Sequence, residues 1–261
     1  MPILGNLASG VRRSRRNLIK VGAIAASATL VGPTKKATAV CATAVGCNCF
    51  LKGTRIRTAD GDRRIEDLAV GDLLPGLFGG IRPIQWIARY SFKRPDQTKA
   101  WVGDVLPVLV ARSALGPDVP HADLCITRGH ALLIDGLLVP VCNLINGRTV
   151  AVYDAGDLDE LEYFHVKLQT HDVIYAEGAP CETLVYVDEN AVNFAEYLRQ
   201  GGPPEIEAAR CAPWADFGRR VEIKSRLRSA ISPWIDCRQK LDIIRDELEE
   251  GGIVVPQLAE I

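Results

Sequence analysis

Several kinds of residue are scarce in this chain of 261 residues, and each scarcity removes a class of protein. There is one methionine, aromatic residues make up 6% of the chain and there are only four histidines. Chemistry that needs imidazole therefore has few addresses. No Cys-x-x-Cys pair occurs among the eight cysteines, and the tight group Cys41, Cys47 and Cys49 has no Cys/His pair at zinc spacing downstream, so no structural zinc site is expected. Eight cysteines over this length are also too sparse for a scaffold built from disulfides. Cys125, Cys142 and Cys181 lie in apolar runs and read as small buried hydrophobes. No Gly-rich phosphate loop, strand-helix alternation or internal repeat is present, which excludes a doubly wound nucleotide-binding fold and a solenoid. No run of apolar residues reaches the ~20 needed for a membrane-spanning helix, so no permanent transmembrane anchor is expected.

Acidic residues are missing from the beginning of the chain. No Asp or Glu precedes Asp60, whereas ten Lys and Arg occur by that point, seven of them (Arg12, Arg13, Arg15, Arg16, Lys20, Lys35 and Lys36) before Cys49. The net charge of -1 thus conceals a basic leader of +7 and a remainder of -8. The acidic remainder offers no surface for nucleic acid.

The basic stretch RRSRRNLIK at 12–20 is followed by VGAIAASATLV, which is apolar or small throughout. A charged segment followed by a short, weakly hydrophobic one is the order of an export signal. Ser14-Arg15-Arg16-Asn17-Leu18-Ile19-Lys20 resembles the twin-arginine export motif, with Leu18 and Ile19 in place of the usual Phe-Leu. Ala37-Thr38-Ala39 supplies a cleavage site of the A-x-A kind. The resemblance implies export of the folded chain to the periplasm or beyond, with the twin-arginine translocation machinery as a partner.

From Cys49 to Asp188 the chain alternates short β-branched or apolar runs with Gly-containing turns, including Asp60-Gly61, Asp135-Gly136 and Asn146-Gly147. The pattern predicts an all-β segment of ten or more short strands. After Asp188 the period changes: Ala191, Phe194 and Leu198 mark one helical face, and Leu241, Ile244 and Leu248 mark another. Together these predict a small α-helical C-terminal appendage. The expected organisation is a signal segment over 1–39, a short leader over 40–48, a β domain over 49–188 and a helical tail over 189–261.

Chemistry-bearing residues occur at three stations. The β segment opens with Cys49-Phe50-Leu51-Lys52-Gly53-Thr54, the second station is Thr127-Arg128-Gly129-His130, and the third runs from His165 to Asp172 and ends at Glu177-Gly178. In this order they resemble the Hint superfamily, the module shared by hedgehog C-terminal domains, inteins and bacterial intein-like domains. GDRRIEDLAVGD at 61–72 adds to the match. Gln85-Trp86-Ile87, Leu106-Pro107-Val108, Leu144-Ile145-Asn146-Gly147 and His171-Asp172 extend it to a bacterial Hint subgroup. The resemblance implies a horseshoe of many short strands.

It also implies self-processing. A cysteine thiol can attack the carbonyl of the residue before it through a five-membered transition state, exchanging an amide for a thioester. By the resemblance, Cys49 is the nucleophile at the Asn48-Cys49 bond, Thr127 holds the scissile amide and His130 donates the proton to the departing nitrogen. Asp172 or His171 accepts the thiol proton or activates the nucleophile that opens the thioester, and His165 stands near a position where many inteins carry Asp. The acyl acceptor is water or another nucleophile, the reaction is single-turnover, and no cofactor is implied. Splicing inteins end in His-Asn, but the corresponding positions here are Glu182 and Thr183. Threonine has no carboxamide nitrogen to close a succinimide, so cleavage without splicing is expected. Two other readings stay open: a degenerate Hint fold serving as an exported binding or structural module, and a metal or redox protein using Cys41, Cys47 and Cys49.

Overall fold

The chain is described by a computed structural model over residues 48–94, 96, 98–187, 189–202, 209–215 and 238–250. The expected signal segment, its cleavage site, Cys41 and Cys47 lie outside these residues.

Two six-stranded antiparallel sheets make up the β domain. The first contains β1 (Phe50–Leu51), β6 (Trp86–Lys93), β7 (Val108–Val110), β8 (Leu124–Ile126), β11 (Val150–Val152) and β12 (Glu160–Lys167), in the order β11-β7-β8-β1-β12-β6. The second contains β2 (Arg55–Thr58), β3 (Gly61–Arg64), β9 (Ala131–Ile134), β10 (Leu137–Pro140), β13 (Val173–Ala176) and β14 (Ala179–Glu182), in the order β10-β9-β14-β13-β2-β3. A separate hairpin joins β4 (Leu73–Gly76) to β5 (Gly80–Pro83). The all-β expectation holds, and among the described residues two α-helices follow the strands: α1 (Phe194–Arg199) and α2 (Lys240–Glu250).

Local chemistry sets the turns. Asp135 and Gly136 both take positive φ (48° and 74°), as a two-residue hairpin turn demands, and they set Ile134 opposite Leu137 in β9–β10. Glu177 and Gly178 do the same between β13 and β14, with φ of 48° and 80°. A glutamate tolerates this conformation because its carboxylate accepts the Arg55 N–H at 2.6 Å. Glycine is required beside it, since a Cβ at 178 would lie 2.8 Å from His121 Nδ1. Asn146 acts differently from the hairpin turn its Asn-Gly sequence predicts. Its Oδ1 accepts the N–H groups of Arg148, Thr149 and Val150, and so organises the loop that leads into β11.

The main core joins both sheets through Phe50, Ile56, Ile126, Leu132, Val166, Ile174 and Cys181, all buried. Each such side chain contributes about 1.5–3 kcal/mol by leaving water. Leu241, Ile244 and Leu248 of α2 are buried in that same core, as their spacing predicts. The helix is also fastened at its flank, where Arg245 Nε donates to Asn143 O at 2.8 Å. In α1 the buried residue is Tyr197 rather than the expected Leu198, which is 59% exposed; the Tyr197 ring packs at a tilt against that of Trp86, with centroids 5.4 Å apart. Between the helices, residues 209–215 run along β10: Leu138 donates to Pro213 O at 2.8 Å and receives the Ala215 N–H at 2.9 Å. The tail therefore shares the core of the β domain.

The cysteines divide in two. Among the described residues, Cys49, Cys125, Cys181 and Cys211 are not disulfide-bonded. Cys142 is disulfide-bonded, which corrects its reading as a simple buried hydrophobe.

Candidate functional site

Pairing of β1 on both edges builds the site. Phe50 lies opposite Phe164 of β12 and Ile126 of β8, which fixes the preceding residue, Cys49, against the end of β8 and the middle of β12. The Cys49 carbonyl accepts the Thr127 N–H at 2.9 Å, and the Cys49 N–H donates to Thr127 Oγ1 at 2.8 Å. The Asn48-Cys49 peptide is thus held from its nitrogen side by one threonine. Cys49 is fully buried and is not disulfide-bonded.

A tight turn from Thr127 to His130, closed by the His130 N–H to Thr127 O at 3.0 Å, brings His130 back beside β1. Its ring lies 4.4 Å from that of Phe50 and 4.8 Å from that of His165, whose position on β12 faces the same interior. His130 is fully buried, and neither ring nitrogen has a hydrogen-bond partner among the described residues. Burial pushes its pKa down to about 3, against the backbone carbonyls of Glu182 and Cys49, which favour the charged form. His165 is lowered well below the ordinary histidine value, first by burial and then by His130. Its Nε2 faces Glu182 O at 3.3 Å. Two adjacent, mutually tilted imidazoles are thus kept neutral by burial.

His171 and Asp172, adjacent in sequence, go separate ways. His171 Nδ1 accepts the Cys211 N–H at 3.0 Å, so in the neutral ring the proton sits on Nε2, which faces Glu182 Oε2 at 3.5 Å. Asp172 anchors the β4–β5 hairpin. Its Oδ1 accepts the N–H groups of Phe78 (2.9 Å) and Val173 (2.8 Å), and its Oδ2 accepts that of Gly79 (2.8 Å). The fit is close: a Cβ at Gly76 would lie 2.4 Å from Oδ2. Thr183 completes this corner by exchanging hydrogen bonds with Asp172, from Thr183 N to Asp172 O and from Asp172 N to Thr183 Oγ1, both 2.9 Å. Cys49, Thr127, His130 and His165 therefore share one buried cluster, His171 reaches toward it through Glu182, and the Asp172 carboxylate is taken up by backbone amides.

Glu182 is the residue whose position the sequence reading used only to exclude splicing. It ends β14, is fully buried, and its Oε1 accepts both the Asn48 Nδ2–H at 2.7 Å and the Ala131 N–H at 3.0 Å. Arg210, from the returning tail, stands 3.7 Å from Oε2 and lies over the Trp214 ring at 3.8 Å. A carboxylate inside the apolar run APCETLV was the available signal for it. Among the described residues no group of three or more His, Cys, Asp or Glu is arranged to hold a metal ion. No described helix is long and apolar enough to cross a membrane.

A sequence model described as "Hint domain" matches residues 48–188. Solved structures similar to the chain include that of the gp41-1 intein, at 11% identity over 52% of this chain and 98% of that one, with a TM-score of 0.35. A DnaB intein from Synechocystis is similar at 10% identity over 53% of this chain and 99% of that one (TM-score 0.35). A bacterial intein-like domain from Clostridium thermocellum is similar at 12% identity over 52% and 98%, again with a TM-score of 0.35. No curated protein matches.

Proposed function

Because the chain belongs to the Hint-domain family of autoprocessing modules, we propose that it breaks its own Asn48-Cys49 peptide bond through a thioester and does not splice. The observation that carries this reading is the Cys49 N–H held by Thr127 Oγ1 at 2.8 Å, beside the buried side chain of the same cysteine, which is not disulfide-bonded, and a histidine with no hydrogen-bond partner among the described residues.

In the forward step Cys49 Sγ bonds to the Asn48 carbonyl carbon, the bond from that carbon to the Cys49 nitrogen breaks, and the thiol proton ends on the freed amine. Thr127 fixes the plane of the leaving amide. His130 handles the proton: a neutral imidazole can take it from the thiol side and return it at nitrogen, and burial keeps the ring from being trapped as a cation. His165 lies beside His130, with ring centroids 4.8 Å apart, and sets its environment. His171 could activate water only after giving up the Cys211 N–H at Nδ1 or passing its Nε2 proton to Glu182. Water then adds to the thioester carbonyl, the C–S bond breaks, and the products are the 1–48 acid and a module beginning at Cys49 with its thiol restored. Another nucleophile in place of water would transfer the acyl group instead.

Thr183 supports the absence of splicing, since it carries no carboxamide and its hydroxyl and N–H are committed to Asp172. The twin-arginine-like segment supports export of the folded module, and the disulfide at Cys142 fits an oxidising compartment.

Intact mass of the wild type and Cys49→Ala, expressed side by side, tests the reaction. Hydroxylamine or dithiothreitol should release a fragment beginning at Cys49 from the wild type alone. Equal processing of both proteins overturns the reading.

A further inference from the structure

We infer that Glu182 recognises the side chain on the acyl side of the scissile bond, so that the module selects a hydrogen-bond donor at position 48 and rejects a carboxylate there. The inference rests on the proposed cleavage at Asn48-Cys49 and adds to it a specificity-determining residue.

Three observations converge on Glu182. First, its carboxylate has no exposed surface and reaches the substrate segment itself, with Oε1 accepting the Asn48 Nδ2–H at 2.7 Å. Second, the oxygen is aimed by the fold. The Ala131 N–H holds it at 3.0 Å, and the backbone beneath is locked by the pairing of Glu182 with Val173 and of Cys181 with Leu132. Third, the other oxygen faces His171 Nε2 at 3.5 Å and the Arg210 guanidinium at 3.7 Å, and the Glu182 carbonyl faces His165 Nε2 at 3.3 Å. One residue thereby ties the side chain of the attacked residue to the histidines around the thiol.

The placement is hard to explain by stability. Burying a carboxylate is costly, and a well-packed apolar side chain at the end of β14 would serve the core better. What the carboxylate provides is a fixed acceptor. Gripping the Asn48 carboxamide removes the freedom of the residue whose carbonyl must be presented to Cys49 Sγ, and that pre-orientation is itself a rate advantage. An aspartate at 48 would set two carboxylates face to face in a site without water-like screening, and an apolar residue would leave the Glu182 oxygen short of one donor.

The test uses the full chain and the initial rate of hydroxylamine-dependent cleavage, read by intact mass. Asn48→Asp should be slower than wild type by about 100-fold and Asn48→Leu by about tenfold, the sizes expected for repulsion against, and loss of, a buried charge-assisted hydrogen bond. In a Glu182→Gln background, where the neutral amide can face either partner, the Asn/Asp rate ratio should shrink to less than about tenfold; a purely structural role would slow both chains equally and preserve the ratio. If Glu182→Gln does not fold, the Asn48 substitutions decide by themselves. Cleavage of Asn48→Asp within about threefold of wild type, with Cys49→Ala inert, overturns the recognition role and leaves the thioester reading intact. Absence of hydroxylamine-dependent cleavage in the wild type overturns both.

Discussion

Two buried polar corners, one around Asp172 and one around Cys49, are built in opposite ways. Around Asp172 every group has a defined partner: three backbone amides on the carboxylate and two reciprocal bonds with Thr183. Around Cys49 the two histidines are buried and kept neutral, and His130 has no hydrogen bond on either nitrogen among the described residues. Buried polar groups are normally satisfied, because an unpaired one costs about 1–3 kcal/mol. The first corner obeys that rule and holds a hairpin in place. The second departs from it where the proposed proton transfer requires free nitrogens, and such departures concentrate at reactive sites.

The sharpest way to separate the corners is to change one residue in each. His130→Gln should lower the rate of hydroxylamine-dependent cleavage by about 100- to 10,000-fold, the range for loss of a general acid-base group, while thermal unfolding shows a protein at least as stable as wild type. Asp172→Ala should do the reverse. It should cost about 3 kcal/mol in urea unfolding by stranding the Phe78, Gly79 and Val173 amides, while the folded fraction keeps its cleavage rate. A large rate loss in folded Asp172→Ala would break the comparison.

Acid provides a third probe. His130 and His165 have folded-state pKa values far below the ordinary 6.5, so below that pH the unfolded chain binds protons that the folded chain refuses. Stability should therefore be flat with respect to these groups above pH 6.5 and fall as pH drops toward 3, by about 1.4 kcal/mol per pH unit for each. Urea unfolding at pH 7.5 and pH 5 reads the loss, and His130→Gln should remove about half of it. The smallest effect belongs to the satisfied corner: Thr183→Val should cost about 1 kcal/mol in stability by removing the acceptor for the Asp172 N–H. Thr127→Val, the matching change beside Cys49, should slow cleavage as well, and equal behaviour of the two threonines would erase the distinction.

Much of this was legible in the sequence. Alternating apolar runs and Asp-Gly turns predicted the strands, and the spacing of Leu241, Ile244 and Leu248 predicted the buried face of α2. The stations of Cys49, Thr127, His130 and His165 could be marked because their residue types and order carry chemistry. Spacing did not separate His171 from Asp172, because adjacent residues near the start of β13 leave toward different partners that come from distant parts of the chain. Nor did helical periodicity choose between Tyr197 and Leu198, since Trp86, on another strand, offers a ring to one and nothing to the other.

The sequence by itself determined that this is an all-β module with a cysteine at its opening, a basic stretch before it and a threonine at position 183. Those properties depend on residue identity and local periodicity, which the chain carries wherever it folds. Only the tertiary structure decided that Glu182, 134 positions from Asn48, closes on its side chain and that the tail returns Arg210 to the same carboxylate. Such contacts depend on strand register and burial, and both come from which sheets the core brings together.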